Sequence, residues 1–398
     1  MSIPFEKNEL AGKRLLILFP HMTMPGGALN YTLKLAEFLS KKGATVAILT
    51  LRNDPKYTGC PGVELLCLDG PVTSSIWYWG LLPFWQMRLN ARITEWQPDL
   101  LIPQIFPANW WGWLYKRSHP KLKLMWVCHE PSAFIHSPAW IAALRPYWKR
   151  WLASALRPLL AAIDMRLSRH TDGLLANSKH TAAMAQKVYD RGADAIIYPG
   201  IDMTLFRPGK YKDRAGIVTV AQLTRFKRID FLLRVFAQVS EKHDHLVFNI
   251  VGRGEHEKSL RALAGELSIA SRVIFHGSLD DESLARLYQR SQLFLHGSIE
   301  EPFGMAPLEA IASGTPAIAH RSGGPQEVID LSCGRLIDSL SVEAWSAEVS
   351  QLLFTLKRQP EYFDRVSLRA ESFAWQNTLA PVVPIIQHLC AANLPVTR

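Results

Sequence analysis

No apolar run in the sequence is long enough to cross a bilayer. Hydrophobic residues make up 48% of the 398 residues, but they occur in short runs such as Leu15–Phe19, well below the about 18–20 residues that a membrane-spanning helix requires. The opening stretch Met1–Lys13 is polar and mixed in charge, and it lacks the cleavage site of a secretory signal. We therefore expect neither a membrane-spanning nor an exported protein.

Cysteine is scarce, and two common phosphate-binding loops are missing. The cysteines are scattered and form none of the close pairs that zinc or redox motifs use, a pattern that fits a reducing compartment. Neither GxGxxG nor GxxxxGK(S/T) occurs, which excludes ordinary dinucleotide-binding and Walker-type loops. We expect a cytoplasmic protein. The five cysteines are Cys60, Cys67, Cys128, Cys333 and Cys390.

The chain is long enough for two or three domains. At about 150 residues per domain, 398 residues exceed what one hydrophobic core holds. Short apolar runs alternate with amphipathic helical segments, which is the order of an α/β fold with buried parallel strands. The predicted strands are Arg14–Phe19, Thr45–Leu49, Leu65–Leu68, Leu100–Ile102, Leu122–Cys128, Gly173–Ala176, Ile196–Tyr198, Ile217–Ala221, Leu246–Val251, Val273–Phe275, Leu293–Leu295, Pro316–Ala319 and Gly334–Ile337.

A stretch rich in proline, glycine and charge, Pro199–Gly216, separates two series of strands and has the composition of an interdomain linker. We place the domain boundary near Phe206. Two doubly wound domains would then face each other across a cleft, and ligands of such sheets bind at the carboxyl ends of the strands. The sequence therefore predicts a ligand site in that cleft.

Positive charge and tryptophan are concentrated in the first half of the chain. Residues 1–206 carry 23 Lys/Arg against 14 Asp/Glu, whereas residues 207–398 carry 22 against 21. Eleven of the 13 tryptophans occur by Trp151, and Trp140–His170 holds six Lys/Arg against one Asp. Two interpretations fit this pattern. The tryptophans are core residues and the basic residues form a solvated face, or both kinds of residue contact an anionic membrane surface. Single-stranded nucleic acid would also suit it, but no nucleic-acid-binding motif occurs and we expect no such partner.

Two loops of the first half are candidates for ligand contact. Gly26 and Gly27 precede an apolar helical stripe, so they permit close backbone approach to an anion at a helix start, although a tight turn would also need them. His129 follows the strand that ends at Cys128 and has no other histidine or cysteine at metal-ligand spacing. A lone histidine is commonly structural, but at a strand end it can hydrogen-bond a bound hydroxyl or phosphate.

The second half begins with a basic strand end. Arg225, Lys227 and Arg228 lie within four residues, either as a solvated loop or as a clamp for a diphosphate. Gly252 follows the next strand, where a glycine leaves room for a flat ring or simply makes a turn. The predicted location at a strand end favours the clamp.

The segment His296–Ala310 is the most informative part of the sequence. Pro302 suits the entry to a helix, and Phe303, Gly304 and Met305 would present backbone N–H groups to an anion at the helix start. This segment therefore predicts a phosphate-binding helix terminus.

Two carboxylates flank that helix start. Glu301 precedes it, and Glu309 lies two turns farther along, so both can touch one elongated ligand whose phosphates rest on the helix terminus. Stabilisation of the helix dipole explains Glu301 but hardly Glu309.

Together these residues resemble the retaining, nucleotide-sugar-dependent glycosyltransferases of family 4, which have the GT-B fold. The match extends from Pro25–Gly27 to Phe373–Trp375, and its most specific part is the E-x7-E motif Glu301–Glu309. Tyr198–Asp202 and Gly323–Gly324 stand at the expected distances from this motif. The resemblance implies two Rossmann-like domains and a returning helix: 1–206 on the acceptor side, 207–375 for the nucleotide sugar, and 376–398 crossing back to the first domain.

The resemblance also implies a role for each site residue. Glu309 would hold the ribose hydroxyls and Glu301 the donor sugar, while Lys227 and the helix start would hold the diphosphate. His129 would contact the transferred sugar or the acceptor, and Gly27 would close on the donor. The predicted catalytic residues are His129, Lys227 and Glu301, and the predicted donor-binding residues are Gly26, Gly27, Arg225, Lys227, Gly252, Phe303, Gly304, Met305 and Glu309.

The chain departs from the family at Gln222, where an arginine usually offsets the charge of the leaving group. Arg225 and Arg228 are the candidate replacements. Because the chain contains no Asp-x-Asp, the usual carboxylate pair for a bridging divalent ion, we expect a reaction that needs no metal and no cofactor beyond the donor substrate.

We expect a hexosyltransferase that moves a sugar from a nucleoside diphosphate sugar to an acceptor hydroxyl, in the synthesis of envelope polysaccharide, lipopolysaccharide or glycolipid. The acceptor would be a glycan or a lipid-linked molecule, and the enzyme would attach peripherally to the inner face of the cytoplasmic membrane. Two alternatives remain open: another GT-B enzyme, such as a sugar-nucleotide epimerase or phosphorylase, and a non-enzymatic protein that binds anionic surfaces.

Overall fold

A computed structural model describes residues 8–23, 26–56, 60–136, 147–209 and 214–391. The chain forms two compact units. The first contains the chain up to Tyr198 together with the residues from Leu379 onward, and the second is Pro199–Thr378. The division therefore falls ahead of Phe206, the boundary that the sequence predicts.

The first unit is built on a seven-stranded parallel sheet with the order β5-β3-β1-β6-β7-β8-β9. A separate parallel pair, β2 and β4, lies beside the ends of β1 and β3. The helices follow the strands, as right-handed crossovers between parallel strands require. The strands are β1 (Arg14–Leu18), β2 (His21–Met22), β3 (Thr45–Thr50), β4 (Arg52–Asn53), β5 (Val63–Cys67), β6 (Leu100–Pro103), β7 (Lys123–Cys128), β8 (Gly173–Ala176) and β9 (Ala195–Ile196); the helices are α1 (Gly27–Lys41), α2 (Ile76–Gly80), α3 (Leu82–Trp96), α4 (Ala108–Ser118), α5 (Ala133–His136), α6 (Tyr147–Ser168), α7 (Lys179–Tyr189) and, from the C-terminal region, α17 (Val382–Ala391).

The second unit is built on a six-stranded parallel sheet with the order β12-β11-β10-β13-β14-β15. Its strands are β10 (Ile217–Val220), β11 (Phe248–Val251), β12 (Val273–Gly277), β13 (Leu293–His296), β14 (Ala317–His320) and β15 (Gly334–Ile337). The helices are α8 (Ile229–Ser240), α9 (Glu257–Glu266), α10 (Asp281–Arg290), α11 (Met305–Ala312), α12 (Pro325–Val328), α13 (Val342–Arg358), α14 (Tyr362–Val366), α15 (Leu368–Glu371) and α16 (Trp375–Leu379), with 3-10 turns at Arg225–Lys227 and Ala270–Arg272.

The predicted α/β class and all 13 predicted strands are confirmed, because nearly continuous apolar runs identify strands buried on both faces. The last strand of the first sheet is Ala195–Ile196 rather than Ile196–Tyr198. The pair β2 and β4 was not predicted, since two-residue strands such as His21–Met22 have no apolar run to reveal them.

The interpretation of Pro199–Gly216 as a linker is wrong for its described residues. Ile201 pairs with Ala374 as an isolated bridge, and a Cβ on Gly200 would overlap Trp375. Arg214 is buried and donates to Thr315 Oγ1 at 2.7 Å. The glycines allow close packing here, so the described residues of this stretch belong to the second unit.

Most described tryptophans of the first half are core residues. Trp111 and Trp113 are fully buried, and their indole N–H groups donate to Tyr78 Oη at 2.7 Å and to Thr171 Oγ1 at 2.6 Å. Trp77 and Trp151 differ, since they are 72% and 73% exposed. The core interpretation therefore accounts for part of the aromatic cluster and leaves a surface portion; Trp140 lies outside the described residues.

Helix α6 is anchored on its inner side by Asp164. This fully buried carboxylate accepts hydrogen bonds from the Trp110 indole at 2.5 Å and from the Tyr189 hydroxyl at 2.8 Å, and it contacts His136 Nε2 at 2.7 Å. The outer side of α6 exposes large apolar residues beside cations. The described helices include none that is both long and apolar enough to span a membrane. The exposed apolar residues of α6 are Tyr147, Trp151, Leu152, Leu156, Leu159 and Met165.

Candidate functional site

The carboxyl ends of β10 and β13 bring the main site residues together. The two strands are parallel neighbours at the centre of the second sheet, so the loops that follow them emerge at the same edge. Gly297, directly after β13, lies against the carbonyl oxygens of Lys227 and Arg228, and a Cβ there would come within 2.9 Å of the first. This close approach places the basic turn beside the segment that carries Glu301.

Lys227 and Glu301 form an ion pair. The Lys227 ammonium donates to Glu301 Oε2 at 2.5 Å, and the two side chains are 26% and 20% exposed. Burial alone would raise the pKa of Glu301, but the charge of Lys227 and hydrogen bonding to the carboxylate outweigh burial and lower it. Glu301 is therefore ionised at neutral pH.

His296 lies beneath this pair and was not assigned a role from the sequence. It is 5% exposed, and its Nε2 is 3.7 Å from Glu301 Oε2. Burial lowers the pKa of His296 to about 4, although Glu301 opposes this shift, so the imidazole is neutral. A polar residue at the end of an otherwise apolar strand was the available signal.

The helix start differs in detail from the sequence expectation. Helix α11 begins at Met305 rather than near Pro302, because Gly304 adopts a left-handed conformation with φ of +102° that cannot continue a helix backward. Phe303 is buried and packs on Phe373, with ring centroids 5.9 Å apart. Helix geometry leaves the first-turn N–H groups of Met305 and Ala306 without intrahelical acceptors, as at any helix start, and their binding of an anion stays a prediction.

A glycine pair fixes the backbone before this helix. The amide of Gly324 donates to the carbonyl of Glu301 at 2.7 Å, and a Cβ on Gly324 would overlap the backbone of Phe303. Gly323 lies equally close to the backbone of Glu301. The backbone that carries Glu301 is therefore held by contacts from a loop that follows β14.

Glu309 occupies a different electrostatic environment from Glu301. It accepts a hydrogen bond from the hydroxyl of the fully buried Tyr288 at 3.1 Å. Burial raises the pKa of Glu309 to about 7, and Asp281 adds to the shift while the hydrogen bond from Tyr288 opposes it. The two acids of the E-x7-E motif thus differ in charge state near neutral pH.

The remaining predicted residues of the second unit lie at loops on the same edge of the sheet. Arg225 is exposed in its 3-10 turn. Arg228 stacks over the ring of Phe231, with its guanidinium 4.9 Å from the centroid. The amide of Gly252 donates to the carbonyl of Gly277 at 2.8 Å, and the neighbouring backbone leaves no room for a Cβ at that position.

His129 is held by hydrogen bonding in the first unit. Its Nε2 is 2.9 Å from Gln104 Oε1, and the Gln104 side-chain amide donates to the carbonyl of Ile102. Oε1 is an acceptor, so His129 Nε2 is the donor and Nδ1 is the acceptor nitrogen. The residue is buried, which lowers its pKa to about 4 and keeps it neutral. Tyr31 of α1 packs edge-on against the ring at 5.0 Å.

Gly26 and Gly27 stand at the start of α1, as predicted, and both are exposed. Gly26 is extended, with φ of 177°, and a Cβ there would meet no atom within 4 Å. Neither a backbone strain nor a packing contact in the first unit therefore requires a glycine at Gly26.

Comparison with known proteins agrees with this architecture. Residues 25–205 match the family described as Glycosyltransferase Family 4, and residues 202–362 match the family described as Glycosyl transferases group 1. The two matches together span residues 25–362, and the chain is a family 4-like glycosyltransferase with the GT-B fold.

Individual relatives and solved structures share less than a third of their residues with this chain. D-inositol 3-phosphate glycosyltransferase from Corynebacterium urealyticum is 27% identical over 92% of this chain and 91% of its own. Sucrose-phosphate synthase from Thermosynechococcus elongatus has a TM-score of 0.78 at 20% identity, over 96% of this chain and 100% of that one. HepE from Anabaena, in complex with UDP-glucose, has a TM-score of 0.71 at 18% identity, over 94% and 99%. In other alignments the chain spans about half the length of the relatives that it matches.

The raised pKa of Glu309 predicts a pH-dependent cost in stability. The folded protein holds this proton up to about pH 7, whereas the unfolded chain loses it near the ordinary value of 4.5. The stabilisation from the proton is therefore complete below about pH 4.5 and is lost as pH rises through 7. Glu309→Gln, which stays neutral, should gain about 1–3 kcal/mol over wild type between pH 4.5 and pH 8.

Urea denaturation at several pH values measures this difference. Glu282→Gln, an exposed residue of α10, is the matched control and should show no such trend. Stability curves of wild type and Glu309→Gln that run parallel across this pH range would contradict the assigned environment of Glu309.

Proposed function

We propose that the enzyme transfers a hexose from a nucleoside diphosphate sugar to an acceptor hydroxyl with retention of anomeric configuration. The observation that carries this proposal is the Lys227–Glu301 pair at 2.5 Å, beside the start of α11. A cation and unpaired amides suit a diphosphate, and carboxylates suit sugar hydroxyls. A uridine diphosphate hexose is the first donor to test, because HepE, which shares the fold, is seen with UDP-glucose.

Each acid contacts a different part of this donor. Ionised Glu301 accepts hydrogen bonds from hydroxyls of the transferred sugar, and Glu309 accepts them from the ribose. Arg225 and Gly252 contribute from neighbouring loops at the same sheet edge. Binding of the ribose hydroxyls favours the ionised form of Glu309, since a carboxylate is the stronger acceptor.

Catalysis consists of positioning and charge stabilisation. The oxygen of the departing diphosphate takes the proton of the attacking acceptor hydroxyl on the same face of the sugar, so no enzymic nucleophile is needed. Lys227 and the amides at the start of α11 stabilise the diphosphate as its negative charge develops. In the first unit, the acceptor nitrogen Nδ1 of His129 accepts a hydrogen bond from a hydroxyl of the acceptor substrate, and the exposed Gly26 and Gly27 leave the start of α1 open.

Lys227→Met should lower the rate of sugar transfer by about 10²-fold or more, because it removes the charge that stabilises the leaving group. The measurement is release of UDP from a UDP-hexose in the presence of acceptor, with folding checked by thermal melting. Lys258→Met, on the exposed side of α9, is the control and should retain the wild-type rate. Near-normal turnover by Lys227→Met would remove Lys227 from the site, and conversion of the donor without acceptor would indicate an epimerase.

The reaction should proceed without a divalent metal, because Lys227 and the helix terminus supply the positive charge that a bridging ion would otherwise provide. Activity measured after dialysis against EDTA should stay within about twofold of the untreated enzyme, and added Mn²⁺ should not raise it further. Loss of activity in EDTA that Mn²⁺ restores would refute metal independence.

We further propose that the enzyme binds an anionic membrane surface and uses a glycan or lipid-linked acceptor in envelope polysaccharide, lipopolysaccharide or glycolipid synthesis. The support is the outer face of α6, where Trp151 and Leu159 are 73% and 60% exposed and Arg150 and Arg166 are also exposed. Aromatic rings favour the headgroup region, and cations near it contribute about 1 kcal/mol each.

Vesicles that contain phosphatidylglycerol test this attachment. Wild type should sediment with them at low salt and be released at high salt, because screening weakens surface electrostatics. Replacing Trp151 and Leu159 with Ser and Arg166 with Gln should reduce binding by about tenfold or more. Phe354→Ser, an exposed residue of the second unit, is the control. Absence of wild-type binding at low salt would refute membrane attachment.

A further inference from the structure

His296 is a buried residue beside the Lys227–Glu301 pair, and its Nε2 atom makes no hydrogen bond to a described residue. It ends β13, and its ring stacks on Phe294 with centroids 6.2 Å apart and planes inclined by 22°. Nε2 is 3.7 Å from Glu301 Oε2, beyond the about 2.7–3.2 Å of an N–H···O hydrogen bond. Within the described part of the chain, this nitrogen has no hydrogen-bond partner.

Burying an imidazole nitrogen without a partner is unfavourable in either tautomer, because the donor or acceptor loses its hydrogen bonds to water. The other residues of β13, Leu293, Phe294 and Leu295, are apolar and fully buried. An apolar residue at the strand end would fit this environment without that cost. The presence of a histidine therefore points to a partner that it gains in another state of the site.

Glu301 is the group that changes partners in such a state. Its main partner now is Lys227, and the proposed function gives Lys227 to the diphosphate of the donor. A diphosphate competes for the ammonium, and Glu301 would then lose part of the charge that keeps it ionised in a largely buried position. Two neighbouring groups can offset this loss: Ser298, whose side chain already favours the ionised Glu301, and His296.

We propose that His296 is a positioning residue for Glu301: when Lys227 turns to the diphosphate, the Nε2–H of His296 closes on Glu301 Oε2 and holds the carboxylate against the sugar. This inference rests on the proposed function. It needs a shift of less than about 1 Å to bring 3.7 Å to hydrogen-bonding distance. The proton stays on the neutral imidazole, and the step adds one hydrogen bond without transferring charge.

The test compares His296→Leu, which has no donor, with His296→Gln, which keeps an N–H near the position of Nε2. The diphosphate of UDP competes for Lys227 as the complete donor does, so calorimetry should show weaker UDP binding by His296→Leu, whereas His296→Gln should bind UDP within about threefold of wild type. His296→Leu should lower kcat with the UDP-hexose by about tenfold, and His296→Gln should recover most of that loss. If His296→Leu does not fold, His296→Phe takes its place, since it keeps the stack on Phe294 without a donor.

A double variant tests whether His296 acts through Glu301. Adding His296→Leu to Glu301→Gln should lower kcat little beyond Glu301→Gln alone, because coupled residues are not additive. Wild-type kcat in His296→Leu overturns the inference. Equal impairment of the Leu and Gln variants also overturns it, because the donor of Gln would then restore nothing and the role would be structural. Failure of wild type to bind any nucleoside diphosphate instead refutes the proposed function.

Discussion

Pairing of Lys227 with Glu301 is the interaction on which the site depends. Two largely buried charges are tolerated only when they compensate each other, since each one alone would lose its hydration. The pair joins a turn after β10 to a loop after β13, and close backbone contacts at Gly297 and Gly324 hold both segments in place. The fold itself thus positions both charges, and an anion that bound there would compete with Glu301 for the Lys227 ammonium.

The neighbours of Glu301 and Glu309 shift the pKa values of these two acids in opposite directions. Glu301 faces a cation, which lowers its pKa, whereas Glu309 faces a neutral tyrosine within a buried environment, which raises its pKa to about 7. Glu309 therefore costs stability in the unliganded protein near neutral pH. Such a cost at a position that we propose for ligand binding fits the general trade between stability and function at binding sites.

The first unit has buried tryptophans in its core and exposed ones on its surface. Trp110, Trp111 and Trp113 on α4 pack in the core, and Asp164 ties α6 to this core through the Trp110 indole. The outer face of α6 is left with apolar and basic side chains that no described contact of the core requires. A helix that packs on the core with one face and exposes apolar and basic side chains on the other has the chemistry expected at a lipid headgroup surface.

The sequence by itself determined the α/β class, the strands and the E-x7-E segment, because apolar runs and local motifs depend on neighbours along the chain. Only the tertiary structure decided that the described residues of Pro199–Gly216 pack into the second unit, that Gly324 contacts the backbone of Glu301, and that His296 and Tyr288 lie beside the two acids. Those contacts join residues far apart in sequence, and burial, which sets the charge of Glu309, exists only once the chain has folded.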